Sequence, residues 1–356
     1  MRQEIIQWEI DPVELRVSGR RSWRLRAGPW SPLSSLRLKW RPAKASLGTG
    51  WSLLGLALIG EIIFVVEKCL TKIFRSDPTS WSDINWPGDL RSGITGTCGS
   101  NQQPSLWFIR GHPKVQEVFA RIWSVRTSDL ITSMDTILIW RYKAEESQSE
   151  YLIPYFCSAY ILCLSFEASP ASGLNLHVDQ NPFKKRGLHC VQGMIPFLEV
   201  TKDIGGLQLV PRSHVEEVQQ QIRQENPLKR MSRDFVKVSD AKYQPGAIVV
   251  EASAGDLILW DSRVIHGSKV GPSVLEEPKE KGLARCTGLV CMTPRAKARQ
   301  EVLEKRLKVF RSGSGFTHWP HEAVISSLGN SNGRNITWSS RQYEPLELTE
   351  DQKRVF

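Results

Sequence analysis

The sequence predicts a mainly β protein with flanking helices, built on a double-sheet jelly roll of cupin type. Two observations carry that prediction. From residue 174 onward the apolar residues fall in short runs, Val191–Val200, Leu207–Val210, Ile248–Val250, Leu257–Trp260, Val264–His266 and Cys286–Met292, separated by Gly, Pro and Asp turns. Many short strands with turn residues between them pack as two sheets. Upstream the period changes, and Val115, Val118, Phe119 and Ile122 recur at helical spacing. With 40% hydrophobic and 24% charged residues in a chain of 356, a sizeable core is available.

Residues 1–50 read as a basic, disordered arm. Ten Lys/Arg face four acids there, so six of the chain's net ten positive charges sit in that segment. The rest is close to balanced, which does not suit a body that binds nucleic acid. The early acids Glu4, Glu9, Asp11 and Glu14 speak against an organelle-targeting segment. Trp51–Val66 is the most apolar run and has two readings. As a membrane span it is short, and Gly55, Gly60 and Glu61 interrupt it. As globular structure it is a buried strand around 61–66 followed by a helix over 67–74, and the sequence favours this reading.

Residues 75–110 are a loop rich in Trp, Pro and Gly. A helix of about three turns then opens at Pro113, which suits the first turn because its missing N–H would be unpaired there anyway. Residues 129–140 read as a strand pair or as one strand after a turn. The segment 143–173 starts acidic and becomes aromatic and apolar, and is either a strand plus loop or an insertion. Pro196 interrupts the 191–200 strand, Gly205-Gly206 reads as a turn, and 214–236 is helical in part. Residues 295–310 form a basic amphipathic helix with Val302, Leu303, Leu307 and Phe310 on one side. That helix is expected to buttress the sheets.

Seven cysteines, an odd number without CxxC spacing, make neither a zinc cluster nor a disulfide framework. Reduced thiols in an intracellular, cytoplasmic protein fit this pattern. The alternative is membrane association through 51–66.

The chemistry centres on Leu174-Asn175-Leu176-His177-Val178-Asp179-Gln180-Asn181-Pro182, a strand running into a turn. Alternation puts His177 and Asp179 on one face and Leu176 and Val178 on the other. An imidazole and a carboxylate so placed can grip one cation from one side, and His266 is the best candidate for a third ligand. Two His and one carboxylate on one face, with other positions open, is the donor set of non-haem Fe(II) oxygenases. Arg285 and Thr287 share a face of a later strand, and a guanidinium suits a carboxylate because its planar fork makes two parallel charge-assisted bonds. His189 either lines the pocket or is a hydrogen-bonded core histidine. His112 reads as a loop residue, His214 as structural, and His318 and His321 as packing residues around Trp319-Pro320. Arg212 is either exposed or turned toward substrate.

His177-x-Asp179, the stretch from Gly205 to His214, Gly255-Asp256-Leu257, and His266-Gly267-Ser268 followed by Arg285 together resemble the phytanoyl-CoA dioxygenase family. The resemblance covers roughly 174–294. It implies a double-stranded β-helix over 51–322 with a helical N-terminal part, leaving 323–356 as a tail. It further implies that His177, Asp179 and His266 ligate Fe(II), and that Arg285 binds the far carboxylate of 2-oxoglutarate with Ser268 or Thr287 assisting. The expected partners are O2 and a small organic or lipid-like substrate, with succinate and CO2 as by-products. Members that halogenate lack the carboxylate ligand, so Asp179 favours hydroxylation. A catalytically silent β-helix acting as a binding or regulatory module is the rival reading.

Overall fold

The computed structural model describes residues 36–38, 89, 91–95, 99–142, 173–228, 234–275, 282–322, 324 and 343–356. The expectations for 51–66, 67–74 and most of 143–173 lie outside these residues, as does the expected arm apart from its strand β1 (Leu36–Leu38). In chain order there follow α1 (Pro104–Gly111), α2 (Pro113–Trp123), β2 (Leu130–Thr132), β3 (Ile137–Arg141), β4 (Leu174–Val178), β5 (Val191–Pro196) and β6 (Gly205–Leu209). Next come α3 (Glu216–Glu225), β7 (Val236–Lys237), α4 (Asp240–Tyr243), β8 (Ile248–Val249), β9 (Leu257–Asp261) and β10 (His266–Val270). The chain closes with α5 (Pro272–Leu275), β11 (Leu283–Leu289), β12 (Met292–Pro294), α6 (Gln300–Arg311) and α7 (Glu350–Arg354).

The strands form two five-stranded antiparallel sheets, ordered β1-β9-β5-β11-β3 and β7-β4-β10-β6-β8, with a small β12-β2 pair beside them. This is the expected jelly roll. In the first sheet, alternation separates two kinds of surface. Ile137, Ile139, Val191, Ile195, Leu257, Leu259 and Cys286 pack against Leu106, Ile109, Val115 and Phe119 of α1 and α2. Each fully buried aliphatic or Phe side chain contributes about 1.5–3 kcal/mol, so this face fixes the register. The opposite face follows from the pairings Gln192↔Trp260, Met194↔Ile258, Met194↔Leu289, Pro196↔Thr287 and Arg285↔Trp140. Met194, Ile258 and Trp260 on that face meet Leu207 and Leu209 of β6, so it looks inward to the second sheet. The second sheet seals its own outer side with Leu176 and Val178 against Val236, Val238, Tyr243 and Ile222 of α3.

Helix α2 forms as its spacing predicts, and the His112 ring caps it by accepting from the Lys114 N–H. Three other expectations change. Gly205-Gly206 is the start of strand β6 rather than a turn, because a Cβ on Gly205 would lie 2.1 Å from the Lys269 carbonyl of β10. His266 opens β10 rather than ending a strand that begins at Val264, since Asp261–Val264 is a hydrogen-bonded turn. Helix α6 buries Val302, Arg306, Val309 and Phe310, whereas Leu307 is exposed. Arg306 displaces an apolar residue from that face because it donates to the carbonyls of Pro320 and Phe356 and so ties down the C-terminal segment. The stretch expected as a tail therefore ends inside the fold, with Val355 fully buried. After β10 comes α5, which Ser273 fastens to the Asp203 carbonyl. Among the described residues no helix is long and apolar enough to cross a membrane.

One contact controls how closely the second sheet closes. A Cβ on Gly267 would lie 2.4 Å from the Leu174 carbonyl, where the β4·β10 pairing is irregular. Backbone cannot give way as a flexible side chain can. Gly267→Ala is expected to cost about 1–3 kcal/mol in urea denaturation, as overpacking does elsewhere, with an unchanged m-value.

A second expectation concerns acid. Burial, together with nearby Lys297 and Lys185, brings the His321 imidazole down to about 4. The unfolded chain takes up that proton near pH 6.5, so acidification through that window draws protein toward the unfolded state. His321 therefore adds stability that is complete above about pH 6.5 and lost as pH falls toward about 4. Urea midpoints measured across that range should fall less steeply in His321→Asn than in the parent chain.

Candidate metal centre

His177 and His266 are direct register partners across β4 and β10, and their ring centroids lie 4.4 Å apart. Asp179 follows two residues after His177, just past the strand end, and reaches back between them. Its Oδ1 lies 3.6 Å from His177 Nε2 and its Oδ2 lies 3.2 Å from His266 Nε2. One ligand atom from each of the three falls within 4.8 Å of the others.

The second ring nitrogens decide what these imidazoles can do. His177 Nδ1 lies 2.7 Å from the Asn175 carbonyl, and His266 Nδ1 lies 2.9 Å from the Val264 carbonyl. A carbonyl only accepts, so each Nδ1 carries a proton, and Nε2 is the nitrogen that each ring turns toward the carboxylate. An imidazole whose outer N–H is pinned by an oxygen is the usual posture of a metal-ligating histidine. Burial, reinforced by His266, brings His177 down to about 4, so its ring is neutral at pH 7. Burial would raise Asp179, but His318, His177 and His266 outweigh it and hold the carboxyl well below the usual carboxylate range. Two imidazole nitrogens and an ionised carboxylate form a donor set that fits a divalent transition metal.

The surrounding segments hold this geometry. Ser213 Oγ accepts the Ile265 N–H at 2.7 Å and donates to the Val210 carbonyl, fixing the residue before His266. Gln180 accepts from Ser262 and donates to the carbonyls of Lys185 and Gly187, fixing the turn after Asp179. The half-exposed Phe235 ring stacks on His177 at 4.6 Å.

Arg285 is buried on the inner face of the first sheet, over the Trp140 ring at 4.5 Å. Burial lowers it to about 10, which leaves it a cation at neutral pH. Its Nε and Nη1 have no hydrogen-bond partner, and neither has the Oγ1 of Thr287 two residues on. Ser268 stands in the second sheet and its Oγ accepts the Leu174 N–H.

The other histidines divide. His189 lies in a loop with its ring against the Arg186 carbonyl, His214 lies in a turn, and Arg212 is exposed at positive φ. His318 departs from its expected packing role: its Nδ1 lies 3.9 Å from Asp179 Oδ2 and its Nε2 is buried without a partner. Gln192 was not singled out from the sequence, yet its Nε2 donates to Asp179 Oδ2 at 3.1 Å. The available signal was a glutamine inside the apolar run 191–200. Phe235 had no such signal, because nothing local marks an aromatic that packs on a distant strand.

Comparison with known proteins matches residues 153–270 to the family described as phytanoyl-CoA dioxygenase (PhyH). A relative, "Ava biosynthesis cluster protein O" of Aspergillus versicolor, is 26% identical over 265 residues, which span 70% of this chain and 73% of that protein. Among solved structures, the non-heme alpha ketoglutarate dependent carbocyclase SnoK from nogalamycin biosynthesis aligns at TM-score 0.41 and 14% identity, covering 73% of this chain and 80% of the other. HygX from Streptomyces hygroscopicus, solved with nickel and 2-oxoglutarate bound, aligns at TM-score 0.36 and 13% identity, covering 74% and 83%. His177, Asp179 and His266 all fall inside the matched stretch, whereas Arg285 lies beyond its end. The stretch that carries the triad is thus similar to the phytanoyl-CoA dioxygenase family, over about a third of the chain.

Proposed function

We propose that the chain is an Fe(II)- and 2-oxoglutarate-dependent dioxygenase that hydroxylates a small organic or lipid-like substrate, with release of succinate and CO2. The observation that supports this best is the coexistence of two unsatisfied groups on one interior. The triad offers two nitrogens and an oxygen to one point, and Arg285 with Thr287 offers unpaired donors. Strand β5 links them: Gln192 touches Asp179, and Met194, two residues along the same face, touches Arg285 at 3.9 Å. Two residues of strand span about 7 Å, a length that a five-carbon dicarboxylate bridges when one end meets the metal and the other meets Arg285. A neutral or singly charged ligand would leave one of these groups unmet.

In this reading His177, Asp179 and His266 hold Fe(II), and the metal supplies the oxygen chemistry when bound. Arg285 pairs with the far carboxylate, Thr287 donates its hydroxyl there, and Ser268, whose Oγ–H stays free to donate, assists from the second sheet. The two sheets exclude water from the reacting centre. Phe235, half-exposed and stacked on His177, would suit contact with an apolar molecule there. The biosynthetic-cluster name of the fungal relative supports a small organic substrate rather than a macromolecule.

Mixing the protein with Fe(II) and 2-oxoglutarate without air should give the weak visible charge-transfer band of a chelated keto acid. His177→Ala, folded by circular dichroism, should lose it. Folded parent protein without the band, or a band that survives His177→Ala, refutes the metal assignment. Arg285→Ala should weaken 2-oxoglutarate binding by at least about thirtyfold, the low end for truncating one partner of a buried charge pair, and leave metal affinity nearly unchanged. Equal loss of both ligands would mean that another residue holds the carboxylate.

A further inference from the structure

Gln192 is 6% exposed in the middle of the inner face of β5, where an apolar residue would pack at lower cost. Its carboxamide meets Asp179 Oδ2 at 3.1 Å. Beside a carboxylate only the amide N–H can point inward, so the orientation of the group is settled by chemistry. Besides His266 Nε2 at 3.2 Å, Asp179 Oδ2 has two polar neighbours, Gln192 within hydrogen-bond reach and His318 at 3.9 Å. Strand β5 is paired on both sides, by β9 and by β11, so the amide is mounted on a rigid element.

We propose that Gln192 is the positioning residue of the metal centre, holding the Asp179 carboxylate in place beside His177 and His266 through its hydrogen bond to Oδ2. The inference rests on the dioxygenase reading. Asp179 lies beyond the end of β4, so the strand that fixes His177 does not fix this side chain, and an amide on a strand paired on both sides supplies that restraint without touching the metal.

The test is a titration of the full metal-free chain with Co(II) alone, comparing the parent, His177→Ala, Gln192→Met and Gln192→Leu. Met keeps the length of Gln and removes the donor, and Leu serves if the Met chain fails to fold. The expected result is no binding by His177→Ala and a Co(II) Kd raised at least about tenfold in the Gln192 variants, the range seen when an outer partner of a ligand is removed. Their visible Co(II) bands should shift, since the carboxylate loses its fixed orientation. Melting temperature, and 2-oxoglutarate affinity of the Co(II)-loaded protein, should stay near the parent values, because the Arg285 end is untouched. A Gln192 variant with parental Co(II) affinity and spectrum overturns the inference. So does a variant that melts early and loses Co(II) and 2-oxoglutarate alike, since that marks packing. A parent chain that binds no Co(II) overturns the dioxygenase reading beneath it instead.

Discussion

The antiparallel seam between β4 and β10 is the constraint on which the rest depends. It sets His177 opposite His266, and side chains opposite one another in a sheet lie close enough to share a ligand. Two neighbouring strands alone would still leave the rings free to turn. The carbonyls of Asn175 and Val264, each two residues before the histidine it binds, remove that freedom by taking the Nδ1 protons. Gly267 lets the strands approach at the irregular pairing, and Ser213 ties the entry of β10 to the segment after β6. Backbone thus orients the nitrogens, and only Asp179, beyond the strand end, needs side-chain help.

That help comes from the opposite sheet, and alternation explains how one strand can serve both packing and chemistry. Along β5, Val191 and Ile195 face the helices while Gln192 and Met194 face inward. A slip of one residue would bury Gln192 and Arg285 in the helix interface and drive isoleucines into the site. The helices on one side of the sheet therefore protect the chemistry on the other by making such a slip costly.

Much of this was legible from residue types and spacing. His177, Asp179 and His266 could be read because strand alternation is local and the donor types are few. The fold class could be read because short runs and turns repeat. What escaped depended on distant backbone. Gly205-Gly206 carries a turn composition, but its place in β6 comes from the carbonyls of β10 lying against it. Helix α6 has the expected length, yet its face rotates because Arg306 is needed for C-terminal carbonyls that lie close only after folding. Gln192 and His318 belong to the same class, since each gains meaning through Asp179, which lies more than ten residues away in sequence.

Charge accounts for why the pieces would occur together. An isolated ion inside a protein is costly, and it persists only when paired. Asp179 is ionised and near-buried, and Arg285 is buried with no carboxylate partner among the described residues. The two lie on separate strands with Gln192 and Met194 between them, so they do not neutralise each other by contact. A divalent metal alone would leave the interior with two excess positive charges once Arg285 is counted. A dicarboxylate alone would meet Arg285 at one end and be repelled by Asp179 at the other. One carboxylate, one divalent metal, one doubly negative keto acid and one guanidinium sum to zero. Binding in that order, metal before co-substrate, avoids the repulsive state. On the proposed assignment Arg285 would act twice, as the fork that fixes the far carboxylate and as the charge that lets a dianion enter a dry site.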